Sequence, residues 1–123
     1  MEVVNRDRSV PFITKDGAEI RSVPDRTNWT VANQSLAEPT LPPGAGTEEH
    51  HHPGTEEIYY VLRGQGLTTL ENEGREVGQG DGVLIPSGNR QRIRNLGSDP
   101  LVFLCCCSPP YSPQDTILAS GER

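Results

Sequence analysis

Turn-forming residues interrupt this chain about every ten residues, which limits it to short elements. The 123 residues include 13 glycines and 11 prolines. No segment of helical length shows the 3.6-residue apolar period of an amphipathic helix. Short apolar runs bounded by Gly, Pro, Asn and Asp are typical of β-strands. The sequence therefore predicts an all-β fold.

We predict nine strands and one short helical segment. The helical candidate is 113–118, one to two turns long, with Ser112 as a possible N-cap. The tail, 108–123, is proline-rich and equally fits an extended arm or a disordered segment. The turn at 71–74 is expected to use its asparagine or glycine where positive φ is needed. The predicted strands are 18–23, 35–41, 47–52, 57–63, 67–71, 75–77, 82–85, 91–95 and 101–107.

The net charge of the chain limits the classes of partner that it can bind. A formal net charge of -6 and a pI near 5.0 would repel a phosphate backbone, so nucleic acid is not an expected partner. We find no apolar signal segment and no run of eighteen apolar residues, so we expect no membrane partner and a cytoplasmic location.

The length is close to that of one ordinary domain, so 1–123 is expected to form a single domain.

Three consecutive histidines and four nearby glutamates mark the most unusual stretch of the chain. The run lies mid-chain and is too short for an expression tag. Because side chains on a strand alternate between faces, His50 and His52 share one face and His51 points away. A proline-glycine turn then lets the next strand bring back a carboxylate, from Glu56 or Glu57, beside that pair.

The strand after this turn, 57–62, is apolar at most positions on both faces, which predicts a central strand covered on both sides. A glutamate buried there would cost several kcal/mol unless it is paired or bound to a cation. Two imidazoles and one carboxylate that converge on one point are ligands for such a cation. The alternative is a metal-free interior in which these polar groups hydrogen-bond to one another.

The same residues resemble the first motif of the cupin superfamily, G(X)5HXH(X)3-4E(X)6G. Residues 44–64 match it at every position. Of the two glutamates, Glu57 is preferred because it leaves six residues before the final glycine. The matching residues are Gly44, His50, His52, Glu57 and Gly64.

Residues 80–95 resemble the second cupin motif, G(X)5PXG(X)2H(X)3N, at all positions but one. The exception is Gln91, which stands where the family usually places its third histidine. We expect the proline and the glycines to shape the turns between the motif strands. The matching residues are Gly80, Pro86, Gly88 and Asn95.

The resemblance implies a small antiparallel jelly-roll β-barrel with a divalent metal ion inside. Carried over by position, the metal ligands are His50, His52, Glu57 and Gln91. An amide oxygen is a weaker donor than imidazole. In the alternative interpretation, Gln91 hydrogen-bonds a bound water or a neighbouring group without touching the metal. The set fits manganese, iron or nickel, and zinc is also compatible.

Two further features of the predicted cavity bear on chemistry. Tyr59 lies on the face of Glu57, either as a catalytic residue that donates to an oxyanion or acts as an acid, or as part of the wall. Cys105, Cys106 and Cys107 cannot form a conventional disulfide framework and are expected to be free thiols. Both faces of their strand are apolar, so the sequence does not decide which thiol faces inward.

Cupin barrels host many activities, so the resemblance does not select one. The first expectation is a metal-dependent enzyme acting on a small oxygen-bearing metabolite, of dioxygenase type. An isomerase or lyase comes next and needs a base, for which Glu56, Tyr59 and His51 are candidates. The alternatives are a non-catalytic module that binds or senses a small molecule, and a purely structural barrel. The resemblance also implies a homodimer that pairs through 10–23 or the proline-rich tail.

Overall fold

Short β-strands form nearly all regular structure in the computed structural model, which describes residues 1–23 and 31–120. The all-β prediction is confirmed. Within the described residues no helix is long and apolar enough to cross a membrane; the cytoplasmic location stays a prediction. The 3-10 turns are Arg6–Arg8 and Pro113–Asp115. The strands are β1 (Phe12–Ile13), β2 (Glu19–Ser22), β3 (Ser35–Leu41), β4 (His50–His51), β5 (Glu56–Arg63), β6 (Gln65–Leu70), β7 (Glu73–Gly78), β8 (Gly82–Ile85), β9 (Gln91–Asn95), β10 (Leu101–Ser108) and β11 (Ile117–Leu118).

The strands form two antiparallel sheets. One sheet has the order β1-β2-β3-β10-β5-β8, and the other has the order β11-β4-β9-β6-β7. Some neighbouring strands are distant in sequence, such as β3 and β10 or β4 and β9. Such pairings require the long connections of a jelly roll. The predicted jelly-roll fold is confirmed.

The core is built from the alternate residues that each strand turns inward. In β9, for example, Gln91, Ile93 and Asn95 are buried, whereas Arg92 and Arg94 are exposed. This alternation gives each strand one face for the interior and one for solvent. The largest fully buried apolar side chains are Phe103, Leu41, Ile85, Ile93 and Leu101.

The outer face of β5 is exposed, so the prediction of a strand covered on both sides is wrong. β5 lies between β10 and the edge strand β8, and Ile58 and Tyr60 are 48% and 46% exposed. Leu84, the cross-strand partner of Ile58, is 57% exposed. A run of apolar residues does not distinguish a strand buried on two faces from one with an apolar outer face. The homodimer stays a prediction.

The C-terminal tail joins a sheet through β11, as far as residue 120, where the described chain ends. The predictions of an extended arm or a disordered segment, and of a helix over 113–118, are therefore wrong for these residues. Ser112 caps a turn as predicted, because its side chain accepts a hydrogen bond from the backbone N–H of Gln114. The turn ends at Asp115, and β11 then pairs with β4. A helix of one or two turns gains few backbone hydrogen bonds, whereas β11 completes the pairing of β4.

The β6–β7 turn uses an unexpected residue. Positive φ falls on Glu71 (φ 52) rather than on the asparagine or glycine that the sequence offers. The Glu71 carboxylate accepts hydrogen bonds from Arg90 Nε at 2.8 Å and from the Arg90 backbone N–H at 3.1 Å. These contacts hold a residue other than glycine in the left-handed region.

A glycine-to-alanine pair tests how tightly the turns are built. Gly64 has φ 91, and an added Cβ would lie 2.7 Å from the Pro100 carbonyl oxygen. Gly80 has φ 89 with nothing within 4 Å of that position. We expect Gly80→Ala to lose about 1–2 kcal/mol of unfolding free energy from backbone strain. Gly64→Ala should lose roughly 1–3 kcal/mol more from the clash. Equal losses in denaturant unfolding would show that the Gly64 turn has room for a side chain.

Candidate metal centre

His50 and His52 lie side by side in the interior, as their spacing predicts. Both are buried, and their ring centroids are 5.0 Å apart. The Nδ1 atom of His50 is 2.7 Å from the Glu48 carbonyl oxygen, and that of His52 is 3.0 Å from the Asp115 carbonyl oxygen. Each Nδ1 donates to its carbonyl, which fixes the ring and directs Nε2 into the cavity.

Glu57 is the inward glutamate of β5, as preferred from the motif, and Glu56 is exposed. The Oε1 atom of Glu57 lies 3.1 Å from His52 Nε2 and accepts a hydrogen bond from Gln91 Nε2 at 2.7 Å. The Oε2 atom instead accepts from Cys105 Sγ at 2.9 Å. The two oxygens of this carboxylate therefore face different donors.

The donor set of His50, His52 and Glu57 fits a divalent metal ion. One ligand atom from each residue lies within 4.8 Å of those of the other two. Ligands about 2.1 Å from one ion lie up to about 4.2 Å apart, so modest side-chain rotations bring all three into bonding range. Buried imidazole and carboxylate donors are the ligands that manganese, iron, nickel and zinc share.

Gln91 connects Glu57 to Tyr59 through its side-chain amide. The Tyr59 hydroxyl donates to Gln91 Oε1 at 2.8 Å, and the amide nitrogen donates to Glu57. This arrangement is that of a residue that orients a ligand. Direct ligation by Gln91 stays a prediction, because its amide oxygen would have to leave the Tyr59 hydroxyl. The catalytic role of Tyr59 also stays a prediction.

Burial keeps the Tyr59 hydroxyl protonated. Desolvation first, and then the negative charge of Glu57, raise the pKa of Tyr59 well above its usual value. The group is therefore a hydrogen-bond donor at neutral pH. The other two base candidates for an isomerase lie outside the cavity wall: Glu56 is exposed and His51 faces away from His50.

Asp16 is a cavity residue that sequence reasoning missed. It lies in the β1–β2 turn, where its Oδ2 atom is 3.3 Å from His50 Nε2 and its other oxygen accepts a hydrogen bond from the Thr14 hydroxyl. In the sequence it stands in a Lys-Asp-Gly stretch that is typical of an ordinary turn. Because Asp16 is far from the histidines along the chain, no sequence pattern links it to them.

Asp115 in the C-terminal tail holds the proline-glycine turn that follows His52. In addition to the carbonyl contact with His52, the Asp115 carboxylate accepts hydrogen bonds from the Gly54 backbone N–H at 3.0 Å and from the Thr55 hydroxyl at 2.7 Å. The proline-glycine turn between β4 and β5 is thereby held in place. Composition alone did not indicate this role for a proline-rich segment.

Cys105 and Cys107 face the cavity, which settles the question left open by the sequence. Both line the cavity with Glu57, whereas Cys106 lies on the other side of the sheet. The hydrogen bond with Cys107 and burial raise the pKa of Cys105 well above its usual value. The hydrogen bond with Cys105 lowers the pKa of Cys107, but burial and the nearby Glu57 carboxylate raise it overall.

The cavity is small. Its volume is about 40 Å³, counted as the space that the centre of a water molecule can reach. Since one water needs about 10–15 Å³ on this measure, there is room for about three waters. Apolar walls include Ile20, Ala37 and Phe103, while Asp16, His50, His52 and Glu57 provide polar atoms.

Comparisons with known proteins agree with this architecture. A family model described as Cupin domain matches residues 38–107, a range that contains His50, His52, Glu57, Tyr59 and Gln91. The chain is 47% identical over 110 residues to Uncharacterized protein MJ1618 of Methanocaldococcus jannaschii, and the match covers 89% of this chain and 88% of that protein.

Several of the similar proteins carry functional names. The chain is 38% identical over 64 residues to the oxalate-binding protein of Thermotoga maritima, covering 52% of this chain and 53% of that protein. The crystal structure of a predicted oxalate decarboxylase from Thermotoga maritima superposes with a TM-score of 0.75 at 27% identity. That superposition covers 88% of this chain and 98% of the other.

The His52–Glu57 pair predicts a stability window for the metal-free protein. Burial raises the pKa of Glu57, but the hydrogen bond and charge of His52 outweigh it and lower the pKa from 4.5 to about 2. Burial lowers the pKa of His52, but Glu57 raises it above 6.5. The contribution of Glu57 to the free energy of unfolding is lost as pH falls through about 2. The contribution of His52 to the same free energy is lost as pH rises through its folded pKa.

The stabilising effect of the pair should therefore be largest between about pH 4.5 and 6.5. The measurement is the difference in unfolding free energy between chelator-treated native protein and Glu57→Gln across the pH range. We expect this difference to shrink on both sides of the window. A difference that does not vary with pH would show that the pair is not ionised as described.

Proposed function

The chain belongs to the cupin domain family, and from this premise we propose that its cavity binds one divalent metal ion through His50, His52 and Glu57. One observation carries the proposal: three buried donors, two from β4 and the residue after it and one from β5 in the opposite sheet, lie within 4.8 Å of one another. Burial of a carboxylate is costly without a positive partner. A cation shared by all three groups supplies that partner.

The metal site is proposed to act on a small oxygen-bearing ligand. When bound, the ion acts as a Lewis acid on an oxygen of that ligand. The cavity, with room for about three waters, favours a ligand of few atoms over a sugar or a nucleotide. Its walls are largely apolar, and Tyr59 with Gln91 holds the Glu57 carboxylate in orientation.

An enzyme of dioxygenase type is the first specific activity that we propose. Its support is the two-histidine-one-carboxylate donor set, which is the set of non-haem iron oxygenases. An isomerase or lyase is second. In that case Asp16 is the carboxylate available as a base, since it lies at the cavity 3.3 Å from His50 Nε2.

A binding module for a small dicarboxylate is the alternative function. Two observations favour it: the small cavity, and relatives named for oxalate binding and predicted oxalate decarboxylation. A divalent ion with two neutral imidazoles and one carboxylate carries net positive charge, which attracts such an anion, and the Asp16 carboxylate beside His50 weakens this attraction. A homodimer is proposed for either function on the grounds of the family resemblance alone.

Ligand variants with matched neighbours test the metal site. We expect His50→Ala and Glu57→Ala to lower the affinity for manganese or iron by more than about 100-fold, because each removes a direct ligand. Loss of a residue that only hydrogen-bonds a ligand already lowers metal affinity by about 10–100-fold. His51→Ala and Glu56→Ala should bind like native protein, because both side chains face away from the cavity. The measurement is a metal titration of tag-free protein by isothermal calorimetry.

Retained affinity in His50→Ala, or equal loss in His51→Ala, would refute the proposed ligand set. Circular dichroism of each variant ensures that any loss reflects a missing ligand and not an unfolded chain.

Oxygen consumption separates the two functions. For a dioxygenase we expect iron-loaded protein to consume oxygen with a small oxygen-bearing substrate, and Glu57→Ala to abolish this. For a binding module we expect oxalate to bind only to metal-loaded protein without loss of oxalate over time. An oxygen electrode and calorimetry provide the two readouts. Metal-independent oxalate binding would contradict the binding-module function.

A further inference from the structure

A second group of metal-binding side chains lies on the far side of the Glu57 carboxylate. Cys105, Cys107 and Glu57 each offer one ligand atom, and these three atoms lie within 4.8 Å of one another. The sulfur atoms are 3.6 Å apart. They lie 2.9 and 3.4 Å from Glu57 Oε2, the oxygen that does not face His52.

The strand register holds these groups in place. Cys107 is directly opposite Glu57 across the β5–β10 pairing, and Cys105 is opposite Tyr59. β10 is flanked by β3 and β5, so the two thiols project inward from a strand that is paired on both edges. The donors are therefore positioned without any flexible loop.

The distances match a tetrahedral ion bound by sulfur. Two sulfurs about 2.3 Å from zinc at the tetrahedral angle lie about 3.8 Å apart, close to the 3.6 Å found here. A thiolate sulfur and a carboxylate oxygen on the same ion lie about 3.6 Å apart by the same geometry. An outward shift of less than one ångström at each sulfur would accommodate the ion.

We propose that Cys105, Cys107 and Glu57 form a second cation site, lined by thiols and selective for thiophilic divalent ions such as zinc and cadmium. Each thiol releases its proton to solvent as it ligates. Glu57 contributes Oε2 here and Oε1 on the imidazole side. The two sites are chemically distinct, since one offers two nitrogens and an oxygen and the other offers two sulfurs and an oxygen.

X-ray absorption of the native protein tests this site without any substitution. The full chain, free of tags and kept reduced, is loaded with two equivalents of zinc, because the imidazole site also accepts this ion. We expect a shell of sulfur scatterers at about 2.3 Å. A first shell made only of nitrogen and oxygen at about 2.0–2.1 Å would overturn the proposal.

Cadmium titration then assigns the sulfurs to residues through the ultraviolet charge-transfer band that only thiolate ligands produce. We expect the band in native protein and in Cys106→Ser, the matched control whose thiol lies outside the cavity. The double variant Cys105→Ser, Cys107→Ser should lose it. A band that survives in the double variant, or that Cys106→Ser abolishes, would overturn the assignment.

The double variant His50→Ala, His52→Ala separates this proposal from the imidazole site. We expect it to keep the cadmium–thiolate band while its affinity for manganese falls by more than about 100-fold. Loss of the band in this variant, with the fold intact by circular dichroism, would show that no independent thiol site exists. Loss of manganese binding alone leaves the thiol site standing.

Discussion

A carboxylate buried inside a β-jelly roll is the constraint on which the rest of this structure depends. Glu57 is 3% exposed, and an ionised group at that depth persists only when its oxygens are fully engaged. His52 and Gln91 contact one oxygen and the two inward thiols contact the other. The interior is therefore organised around an anion.

The fold delivers these groups from elements that are distant in sequence. β4, β5, β9 and β10 each place one or two polar side chains on the inner face, and the turn before β2 adds Asp16. The C-terminal tail completes the set, because the Asp115 carbonyl fixes the ring of His52 while its carboxylate holds the turn at Gly54. A jelly roll suits this purpose because its crossing connections bring both ends of the chain to one cavity.

The sequence predicted the parts of the site that follow from local periodicity. Alternation on a strand placed His50 and His52 together, and the motif spacing selected Glu57 over its neighbour. The parts that depend on tertiary contacts were not predictable. The apolar run of β10 gave no hint that Cys105 faces inward, and nothing near Asp16 linked it to a histidine 34 residues away.

The fold shows the same division between local and tertiary information. Most strand positions followed from the turn residues, but β1 was not predicted and the predicted strand 47–52 is only His50–His51. The jelly roll followed from the family motifs. The exposed outer face of β5 did not, because apolar residues on a strand indicate burial without saying how many faces are covered. The strand in the tail was not predictable either, because its pairing with β4 involves residues about 67 positions apart.

The most direct test of the metal centre is anomalous diffraction from crystals of tag-free protein loaded with manganese. We expect an anomalous peak inside the barrel, about 2.0–2.2 Å from His50 Nε2, His52 Nε2 and a Glu57 oxygen. A peak bound by other residues, or an interior without anomalous signal in protein that is demonstrably loaded, would contradict the proposed centre.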